Sequence, residues 1–371
     1  MTDPQKRLLY VCLEPARQGH AVFTHVMEMI SVLKKGGYDV LLYTPKYPEH
    51  QKLPGFLGRL MRMINVQYRA FCAMKRGDIL YIRWHPLTLF IHLLGKLKKI
   101  TLVHEVNGPY EDLFIAWPFL KKGRPLFTQM MRLQLKGANH VFPVTQGLAD
   151  FVKKEGGHAR ITVVSNGVNT DHFHPRATIP KNLYRLPKRY MIYFGTFAKW
   201  HGLPHLLKIA TSPFWSKDMD LVIVGDGAFR NDVEIASQKN VHIHYVGRVP
   251  YDHIPGIIAK AWLSIMPFEN TENRADTDFA PLKLFESMAC GVPVFSSPVG
   301  GLDPFLKTHG CGISMDVSDP DAVARYLYTL SIQDLASYGQ KGRKAAQDFF
   351  SWKMQGTKVL KVLEDLEKVS F

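Results

Sequence analysis

Short apolar runs alternate with longer segments of helical period through the first half of the chain. Leu8–Leu13, Ile79–Ile82 and Ile100–Glu105 have the length and nearly continuous apolar character of buried strands. The segment Val22–Lys35 has helical spacing and ends at a Gly-Gly pair. Strands that alternate with helices predict a parallel sheet covered on both faces. The same pattern predicts further strands at Asp39–Tyr43, His140–Phe142 and Ile161–Val164, and a helix at Gln146–Glu155.

A polar, proline-rich segment at 169–188 interrupts this pattern, which then starts again. Five more strands are predicted between residues 190 and 296, with helices between them, and a terminal helix covers about Trp352–Lys368. Because 371 residues are too many for one ordinary core, the chain should form two domains. We predict two doubly wound parallel-sheet domains at 1–175 and 176–351, with a last helix at 352–371 that returns to the N-terminal domain. Ligands of such sheets bind at the carboxyl ends of the strands.

Composition and cysteine usage exclude several classes of protein. No apolar run approaches the roughly eighteen residues that span a bilayer, and the N-terminus shows no secretory apolar segment. The four cysteines are scattered, without metal-ligand spacing, and are typical of reduced thiols. The sequence therefore predicts a cytoplasmic protein.

The net charge of +15 is concentrated in one part of the chain. Residues 54–99 contain nine Lys or Arg and one Asp, which is more than half of the excess. Within a predicted helix, Arg59, Arg62, Arg69 and Arg76 share one face, opposite Phe56, Leu60, Met63, Ile64 and Phe71. Such a helix can bind an anionic membrane or acceptor, or it can pack on the core with a solvated basic face, and both interpretations stay open. Nucleic acid is not predicted as a partner, since no basic motif interleaved with aromatic residues is present.

Polar residues and glycines follow several predicted strands. Gly19 follows the first strand, where a ligand-binding loop and an ordinary turn are both possible. His104, Glu105 and Asn107 end another strand and are candidate site residues, although a structural hydrogen-bonded cluster would look the same. In the second half, the corresponding positions are Thr196, Lys199, His201, Gly225, Asp226, Gly247 and Arg248.

The most informative stretch begins at Asp278 and ends in a buried strand. Asp278 and Glu286 are eight positions apart, with Lys283 between them and Pro281 suited to the first turn of a helix. The start of that helix would direct free amides and its positive dipole end toward an anion, and Lys283 adds a full charge. These groups predict a ligand that has both a phosphate and several hydroxyl groups, the latter bound by the carboxylates. A nucleotide sugar has both.

Metal sites are possible but weakly indicated. The acidic triplets Asp218-Met-Asp220, Asp276-Thr-Asp278 and Asp319-Pro-Asp321 could hold Mg²⁺ on a diphosphate, but triplets of this kind are frequent by chance. His201 and His205 have the spacing of a metal pair, but Pro204 between them argues against a single regular helix. We predict no bound metal and no cofactor.

Together these features resemble the retaining glycosyltransferases of family 4, which have the GT-B fold of two Rossmann-like domains facing across a cleft. The resemblance covers nearly the whole chain and is strongest from Val163 to Val299. Asp278 to Glu286, followed by Met288-Ala-Cys-Gly-Val-Pro-Val294, resembles the E-x7-E signature of that family. The segments that also match are Ser165–Asn169, Phe173–Pro175, Leu221–Gly227 and His244–Val249.

The resemblance implies that the C-terminal domain binds a nucleoside-diphosphate sugar. Glu286 would then contact the ribose and Asp278 the donor sugar, while the amides that follow Asp278 would contact sugar and phosphate. Gly19 would approach the diphosphate, His104 would lie near the sugar, and the Val249 backbone would meet the base. The implied donor-binding set is Gly19, Thr196, Lys199, His201, Gly225, Arg248, Val249, Phe279, Ala280, Pro281, Leu282, Lys283 and Glu286.

This chain departs from the family pattern at two places. The first signature carboxylate is Asp278 instead of Glu, so its side chain is one methylene shorter. The Arg and Lys that usually clamp the diphosphate are replaced by Thr196 and His201, and Lys199 and Lys283 are the cations that could substitute for them.

We therefore predict a retaining hexosyltransferase of polysaccharide or envelope glycan assembly, with catalytic residues His104, Asp278 and Glu286. Its acceptor would be a saccharide or a lipid-linked saccharide bound by the basic N-terminal domain near Glu105, Asn107, Arg59, Arg62 and Arg69. Peripheral contact with the inner face of the plasma membrane is an open possibility. Two alternatives are a sugar-nucleotide epimerase of similar shape and a non-catalytic protein that binds the membrane surface.

Overall fold

The computed structural model describes residues 6–17, 19–47, 54–109, 113–114, 117–156, 160–180, 183–270 and 277–369. The chain forms two compact units, Met1–Asn166 with Trp352–Phe371 (the first unit) and Gly167–Ser351 (the second unit). Both are parallel-sheet α/β structures, which confirms the predicted fold class of the two domains.

In the first unit, five parallel strands follow the order β2-β1-β3-β4-β5. The strands are β1 (Lys6–Cys12), β2 (Tyr38–Tyr43), β3 (Ile79–Arg83), β4 (Thr101–Val106) and β5 (His140–Pro143). The helices are α1 (Ala21–Lys35), α2 (Phe56–Ala73), α3 (Leu89–Leu97), α4 (Arg124–Gly137), α5 (Gln146–Gly156) and the terminal helix, which is named α13 below (Trp352–Val369). The strand order reverses between β1 and β3, where sheets of this kind open a crevice for ligands.

In the second unit, six parallel strands follow the order β11-β10-β9-β6-β7-β8. The strands are β6 (Tyr190–Phe197), β7 (Asp220–Gly227), β8 (Ile243–Gly247), β9 (Leu263–Met266), β10 (Val294–Ser296) and β11 (Gly312–Ser314). The helices are α6 (Leu203–Ala210), α7 (Arg230–Lys239), α8 (Ile254–Ile258), α9 (Leu282–Ala289), α10 (Leu302–His309), α11 (Pro320–Thr329) and α12 (Ile332–Asp348). This is the order of dinucleotide-binding sheets, and it reverses between β6 and β9.

Alternation along the central strands builds a core on each face of a sheet. In β6, Ile192 and Phe194 enter one core, whereas Met191 and Tyr193 enter the other. Because successive side chains of a strand point to opposite faces, strands buried on both sides read as unbroken apolar runs. This is why the sequence pattern located them.

Two glycines allow the terminal helix α13 to pack closely on α1 in the first unit. A Cβ added to Gly356 would lie 2.0 Å from Val32, and one added to Gly36 would lie 2.3 Å from Leu360. The backbones can therefore approach only because both positions lack a side chain.

The boundary between the units lies at 166/167 and not at the predicted 175/176. Val168 and Phe173 are buried in the core of the second unit, and Arg343 Nη1 donates to the Phe173 carbonyl over 2.9 Å. The proline-rich segment is therefore packed against that unit through much of its length. The predicted strand at Ile161–Val164 is reduced to a single bridge between Ile161 and Val141.

Candidate functional site

The carboxyl ends of β6 and β7 meet through two glycines in the second unit. Gly195 and Gly225 are register partners with φ of 112° and 139°, a region that other residues rarely occupy. A Cβ on Gly225 would lie 1.9 Å from the Gly195 carbonyl oxygen. The backbone at this strand edge is therefore kept bare of side chains, as close approach to a ligand requires.

Lys283 brings a buried amine to the same edge. A Cβ on Gly195 would lie 3.8 Å from Lys283 Nζ, which lies 4.9 Å from the ring centre of Tyr193 and 5.1 Å from that of Phe268. The side chain is buried, and its Nζ has no hydrogen-bond partner in the described part of the chain. A buried amine that faces aromatic rings and makes no hydrogen bond is costly unless an anion completes its surroundings.

Burial also changes the acid–base behaviour of Lys283 and of Glu286, one turn further along α9. Desolvation lowers the pKa of Lys283 to about 7, and the charge of Glu286 opposes the shift. Desolvation raises the pKa of Glu286 to about 7, opposed by Lys283. Both groups therefore titrate near neutrality, which is common at functional sites.

The loop before α9 is held by a glycine turn. Asp278 has a left-handed φ of 54°, and a Cβ on Gly301, the residue before α10, would lie 2.6 Å from its carboxylate oxygen. The Phe279 amide donates to the Gly300 carbonyl over 2.5 Å, and the Phe279 ring stacks on Phe268 at 5.5 Å. The structure thus places the Asp278 carboxylate at the start of α10, while Phe279 joins the aromatic wall beside Lys283.

Helix α9 begins without a side-chain cap. Pro281 is its N-cap residue, and Ala280 and Leu282 flank it. The first amides of a helix lack intrahelical partners, so this end of α9 directs N–H groups and a partial positive charge outward. Lys283 lies in that first turn.

The loop after β6 contributes a second cation and an oriented imidazole. Lys199–His201 form one turn of 3-10 helix, in which the side chain of Lys199 is exposed. His201 Nδ1 lies 2.6 Å from the Thr196 carbonyl oxygen. Because a carbonyl oxygen only accepts, Nδ1 carries a proton, and this hydrogen bond fixes the orientation of the ring.

A cavity of about 340 Å³ lies at the ends of β7 and β8. It is lined by Asp226, Arg230, Tyr245, Val246, Gly247 and Arg248. Tyr245 Oη donates to the Gly225 carbonyl over 3.1 Å, which connects this wall to the glycine pair beside Lys283. Val249 follows Arg248 and packs against the neighbouring core. The predicted positions Gly225, Arg248 and Val249 thus lie at one strand edge.

In the first unit, polar residues at the carboxyl ends of neighbouring strands form a buried network around Glu105 of β4. Arg83 Nη1 donates to Glu105 Oε1 over 2.9 Å, His25 Nε2 lies 2.8 Å from the same oxygen, and Asn107 Nδ2 donates to it over 2.5 Å. The hydroxyls of Tyr10 and Tyr81 donate to Oε2 over 3.2 and 2.9 Å. We call Tyr10, His25, Tyr81, Arg83, Glu105 and Asn107 the Glu105 cluster. Gly19, with φ of 80°, lies in the turn after β1.

His104 does not join this cluster, and its place beside a donor sugar stays a prediction. Its side chain is fully buried on the opposite face of β4, where Nε2 lies 2.9 Å from His92 Nδ1 of α3. Burial, with a smaller effect of Lys96, lowers the pKa of His92 to about 4, so that ring is neutral. Adjacent strand residues point to opposite faces, and therefore His104 and Glu105 could not both reach one site.

The basic helix also differs from its prediction. Arg59 donates to the Pro54 carbonyl and lies 5.0 Å from the Trp117 ring centre, while Arg62 donates to the Lys46 carbonyl. Ile64, predicted on the apolar face opposite the arginines, is exposed, as Arg69 is, and α2 ends before Arg76. Within the described ranges, no helix is both long and apolar enough to cross a bilayer.

The described residues contain no group of three His, Cys, Asp or Glu side chains arranged to hold a metal. Asp276, part of one predicted triplet, lies outside the described residues. Of the two histidines with the spacing of a metal pair, His201 is the one bonded to the Thr196 carbonyl, and His205 Nε2 lies 3.6 Å from a carboxylate oxygen of Glu269.

The sequence did not identify several residues at the carboxyl ends of the strands in the second unit. Tyr193 and Phe268 surround Lys283, and Arg230 with Tyr245 lines the cavity. Arg230 and Tyr245 adjoin two turns that the sequence did single out, so proximity along the chain could have suggested them. Tyr193 and Phe268 look like ordinary strand-end aromatics, and no local pattern marks them.

Two family models match the chain in succession. The description "Glycosyltransferase Family 4" matches residues 22–172, and "Glycosyl transferases group 1" matches residues 188–332. The first match lies in the first unit except for its last six residues, and the second match lies in the second unit.

Two curated relatives align with parts of the chain. A GDP-mannose-dependent monoacylated alpha-(1-6)-phosphatidylinositol monomannoside mannosyltransferase of Corynebacterium glutamicum is 27% identical over 150 residues, or 40% of this chain and 39% of the relative. A 2-deoxystreptamine glucosyltransferase of Streptomyces kanamyceticus is 26% identical over 248 residues, or 59% of this chain and 62% of the relative. The aligned regions thus span less than two thirds of either relative.

Solved structures cover nearly the whole chain. Sucrose-phosphate synthase of Thermosynechococcus elongatus aligns with a TM-score of 0.78 at 17% identity, over 98% of this chain and 100% of that one. HepE of Anabaena in complex with UDP and glucose aligns with a TM-score of 0.67 at 16% identity, over 96% and 99% of the two chains. These likenesses support the GT-B fold. With the two family matches, they show that this chain belongs to the GT-B glycosyltransferases of family 4, the glycosyl transferases of group 1.

Proposed function

We propose that this glycosyltransferase moves a hexosyl unit, with retention of anomeric configuration, from a nucleoside-diphosphate sugar to a saccharide or lipid-linked saccharide acceptor. The observation that carries the proposal is the environment of Lys283. Its buried amine lies beside bare glycine backbone, in the first turn of an uncapped helix, among aromatic rings and without a hydrogen-bonded counter-ion. A diphosphate would supply the missing negative charge.

The surrounding residues are consistent with the rest of such a donor. Glu286 could accept hydroxyl hydrogen bonds from a ribose, and the cavity beside Arg248 has room for a base. HepE was solved with UDP and glucose, and the Corynebacterium relative is named for GDP-mannose, so both uridine and guanosine donors merit testing. We place the donor entirely on residues of the second unit.

In the proposed reaction, the bond between the anomeric carbon and the diphosphate oxygen breaks as the acceptor oxygen forms a bond to that carbon on the same face. The acceptor proton passes to the departing phosphate oxygen. Lys283, Lys199 and the first amides of α9 would stabilise the negative charge that develops on the leaving group, with His201 beside them. These groups supply the charge, and we therefore expect activity without a metal.

The function is tested by incubating the protein with a panel of nucleotide sugars and acceptors and detecting released nucleoside diphosphate. We expect release that depends on both donor and acceptor, that persists in EDTA, and that yields a product whose anomeric configuration matches the donor by NMR. A new sugar nucleotide formed from donor alone would establish the epimerase alternative. The absence of any turnover or donor binding across the panel would favour a non-catalytic protein.

Donor binding should weaken as the pH rises above about 7. The Lys283 pKa of about 7 means that the free site loses its cation above this pH, and Glu286 becomes charged over the same range. A bound diphosphate favours the charged amine, so binding above pH 7 takes up a proton, and affinity should fall by about tenfold per pH unit. Calorimetry with UDP-glucose and GDP-mannose between pH 6 and 9, in buffers of different ionisation enthalpy, measures both effects. A constant affinity over that range would contradict the assignment.

A further inference from the structure

Helices α2, α3 and α4 form one layer on a single face of the first unit's sheet. The crossovers from β2 to β3, β3 to β4 and β4 to β5 run in the same direction across the sheet, which places their helices on one side. Buried polar contacts join the layer. The Ile91 amide donates to Gln67 Oε1 over 3.2 Å, and Thr88 Oγ1 donates to Gln134 Oε1 over 2.7 Å.

The outward side of α2 is apolar. Leu57, Met61, Ile64 and Tyr68 recur at intervals of four, three and four residues, which lines them up on one stripe of the helix. Each is more than half exposed, from 53% for Ile64 to 66% for Leu57. The core side of the helix is made by other residues, including Val66 and Ala70. Helix α2 thus has two apolar sides, of which one packs on the sheet. The other side is exposed, which indicates that it contacts a partner outside this unit.

The stripe continues over the neighbouring helices. Phe90, Leu93 and Leu97 share one side of α3, and Leu97 is 79% exposed. Leu126 and Leu133 are exposed one above the other on α4. Nine of the 21 exposed large hydrophobic residues in the described part of the chain thus belong to these three helices. A contiguous apolar surface of this kind marks an interaction site.

The charge on this layer has one sign. The sequences of α2, α3 and α4 contain no Asp or Glu. Their cations are Arg59, Arg62, Arg69, Lys96, Arg124, Arg132 and Lys136. The helices α1, α5 and α13 of the same unit all contain carboxylates, so the absence is confined to one layer. We call this outward side of α2, α3 and α4 the three-helix face.

We propose that the three-helix face docks on the surface of an anionic lipid bilayer. Its exposed apolar side chains would enter the boundary between headgroups and acyl chains, while the lysines and arginines meet lipid phosphates. A second copy of this chain is a poorer occupant, because a symmetric contact would place these cations against each other without carboxylates to pair them. The contact surface is therefore broader than the single arginine-bearing helix that the sequence indicated, and it depends on hydrophobic residues as much as on charge.

Flotation of the full chain with vesicles tests the proposal. We expect binding to vesicles of equimolar phosphatidylcholine and phosphatidylglycerol, and much weaker binding to phosphatidylcholine alone. The variant Met61→Gln/Ile64→Gln/Leu97→Gln should lose binding by at least about tenfold per side chain that inserts. The variant Arg69→Gln/Lys96→Gln/Lys136→Gln should lose about 100-fold on anionic vesicles, and less on neutral ones.

Matched controls separate this surface from general stickiness and from donor binding. Ile235→Gln/Val241→Gln/Tyr328→Gln removes exposed apolar side chains of the second unit, and should float like wild type. Calorimetry with UDP-glucose should give the same result for both face variants as for wild type, since the proposed donor residues lie elsewhere. Failure of wild type to float, or flotation unchanged in the Met61 variant, would overturn the proposal. So would a concentration-dependent dimer that the Met61 variant abolishes while vesicle binding is absent.

Discussion

Replacement of Lys283 by methionine should lower kcat/KM by about 10²–10³-fold while leaving the fold intact. Loss of one well-placed electrostatic group from a water-poor site costs about 3–4 kcal/mol of transition-state stabilisation. Methionine keeps the length and apolar body of the side chain, and therefore the change removes charge with little change in packing. Steady-state kinetics with the best donor of the panel, and calorimetry with its nucleoside diphosphate, measure the effect. Lys208→Met, an exposed lysine on α6, is the matched control and should leave both unchanged.

The same substitution should make the second unit more stable at neutral pH. A lysine whose pKa is about 7 in the folded chain and about 10.5 when unfolded resists folding by about 4 kcal/mol at pH 7. The rings of Tyr193 and Phe268 offset about 1–2 kcal/mol of this, so the expected net gain is about 2 kcal/mol. Since the unfolded state binds more protons between these two pKa values, the wild-type penalty shrinks as the pH rises. The gain should therefore be smaller at pH 9 than at pH 7.

These two readouts together separate a functional cation from a structural one. If Lys283→Met lowers activity and raises the urea concentration at the unfolding midpoint, Lys283 serves binding and destabilises the fold. If Lys283→Met lowers the midpoint instead, the amine has a structural counter-ion. If activity stays at the wild-type level, the anion site lies elsewhere.

The two-domain fold could be predicted from the sequence because both sheets are buried on two faces. Strands such as β3 and β4 appear as short apolar runs, and the helices between them have clear period and glycine ends. The boundary between the two units was harder to predict from the sequence. Prolines at 175, 180 and 187 indicate irregular chain, but they do not reveal that Val168 and Phe173 are buried in a core.

The strand-end edge of the second unit was predictable because a local pattern carried it. Glycines that follow strands, and a carboxylate and a lysine at the start of a helix, have recognisable spacing. By contrast, the sequence does not show which of His104 and Glu105 packs against α3 and which points to the other face of β4. A strand buried on both faces has no alternation of polar and apolar residues from which to decide. The exposed face of α2 was missed for a related reason. Both of its sides contain apolar residues, so the helical period alone does not show that Ile64, which was grouped with Met63 and Phe71, lies on the exposed side.

Glu105→Gln should lower the free energy of unfolding of the first unit by about 2–3 kcal/mol, because the buried Arg83 then keeps only the partly exposed Glu14, whose carboxylate accepts from Arg83 Nε over 2.7 Å. The glutamine amide also has only one acceptor oxygen, so it cannot accept from Tyr10 and Tyr81 on one side and from the donors that face Oε1 on the other. Urea unfolding followed by circular dichroism at pH 7 measures the loss. Glu364→Gln, an exposed carboxylate on α13, is the matched control and should change stability by less than about 0.5 kcal/mol.

The pH dependence of this loss identifies its cause. Burial by itself would raise the pKa of Glu105, but His25, Arg83 and Asn107 together hold it well below its ordinary range. A depressed folded pKa means that the stabilisation is complete above the unfolded value of about 4.3 and declines as the pH falls below it. The difference in the free energy of unfolding between wild type and Glu105→Gln should therefore be constant from pH 7 to 5.5 and become smaller near pH 4. A double variant, Arg83→Met/Glu105→Leu, should be more stable than Glu105→Gln, because the buried guanidinium is then removed together with the buried carboxylate that pairs with it. If instead both variants unfold at the wild-type urea concentration, the Glu105 cluster is not what holds β1, β3 and β4 together at their carboxyl ends, and its polar groups would have to be reconsidered as part of an acceptor site.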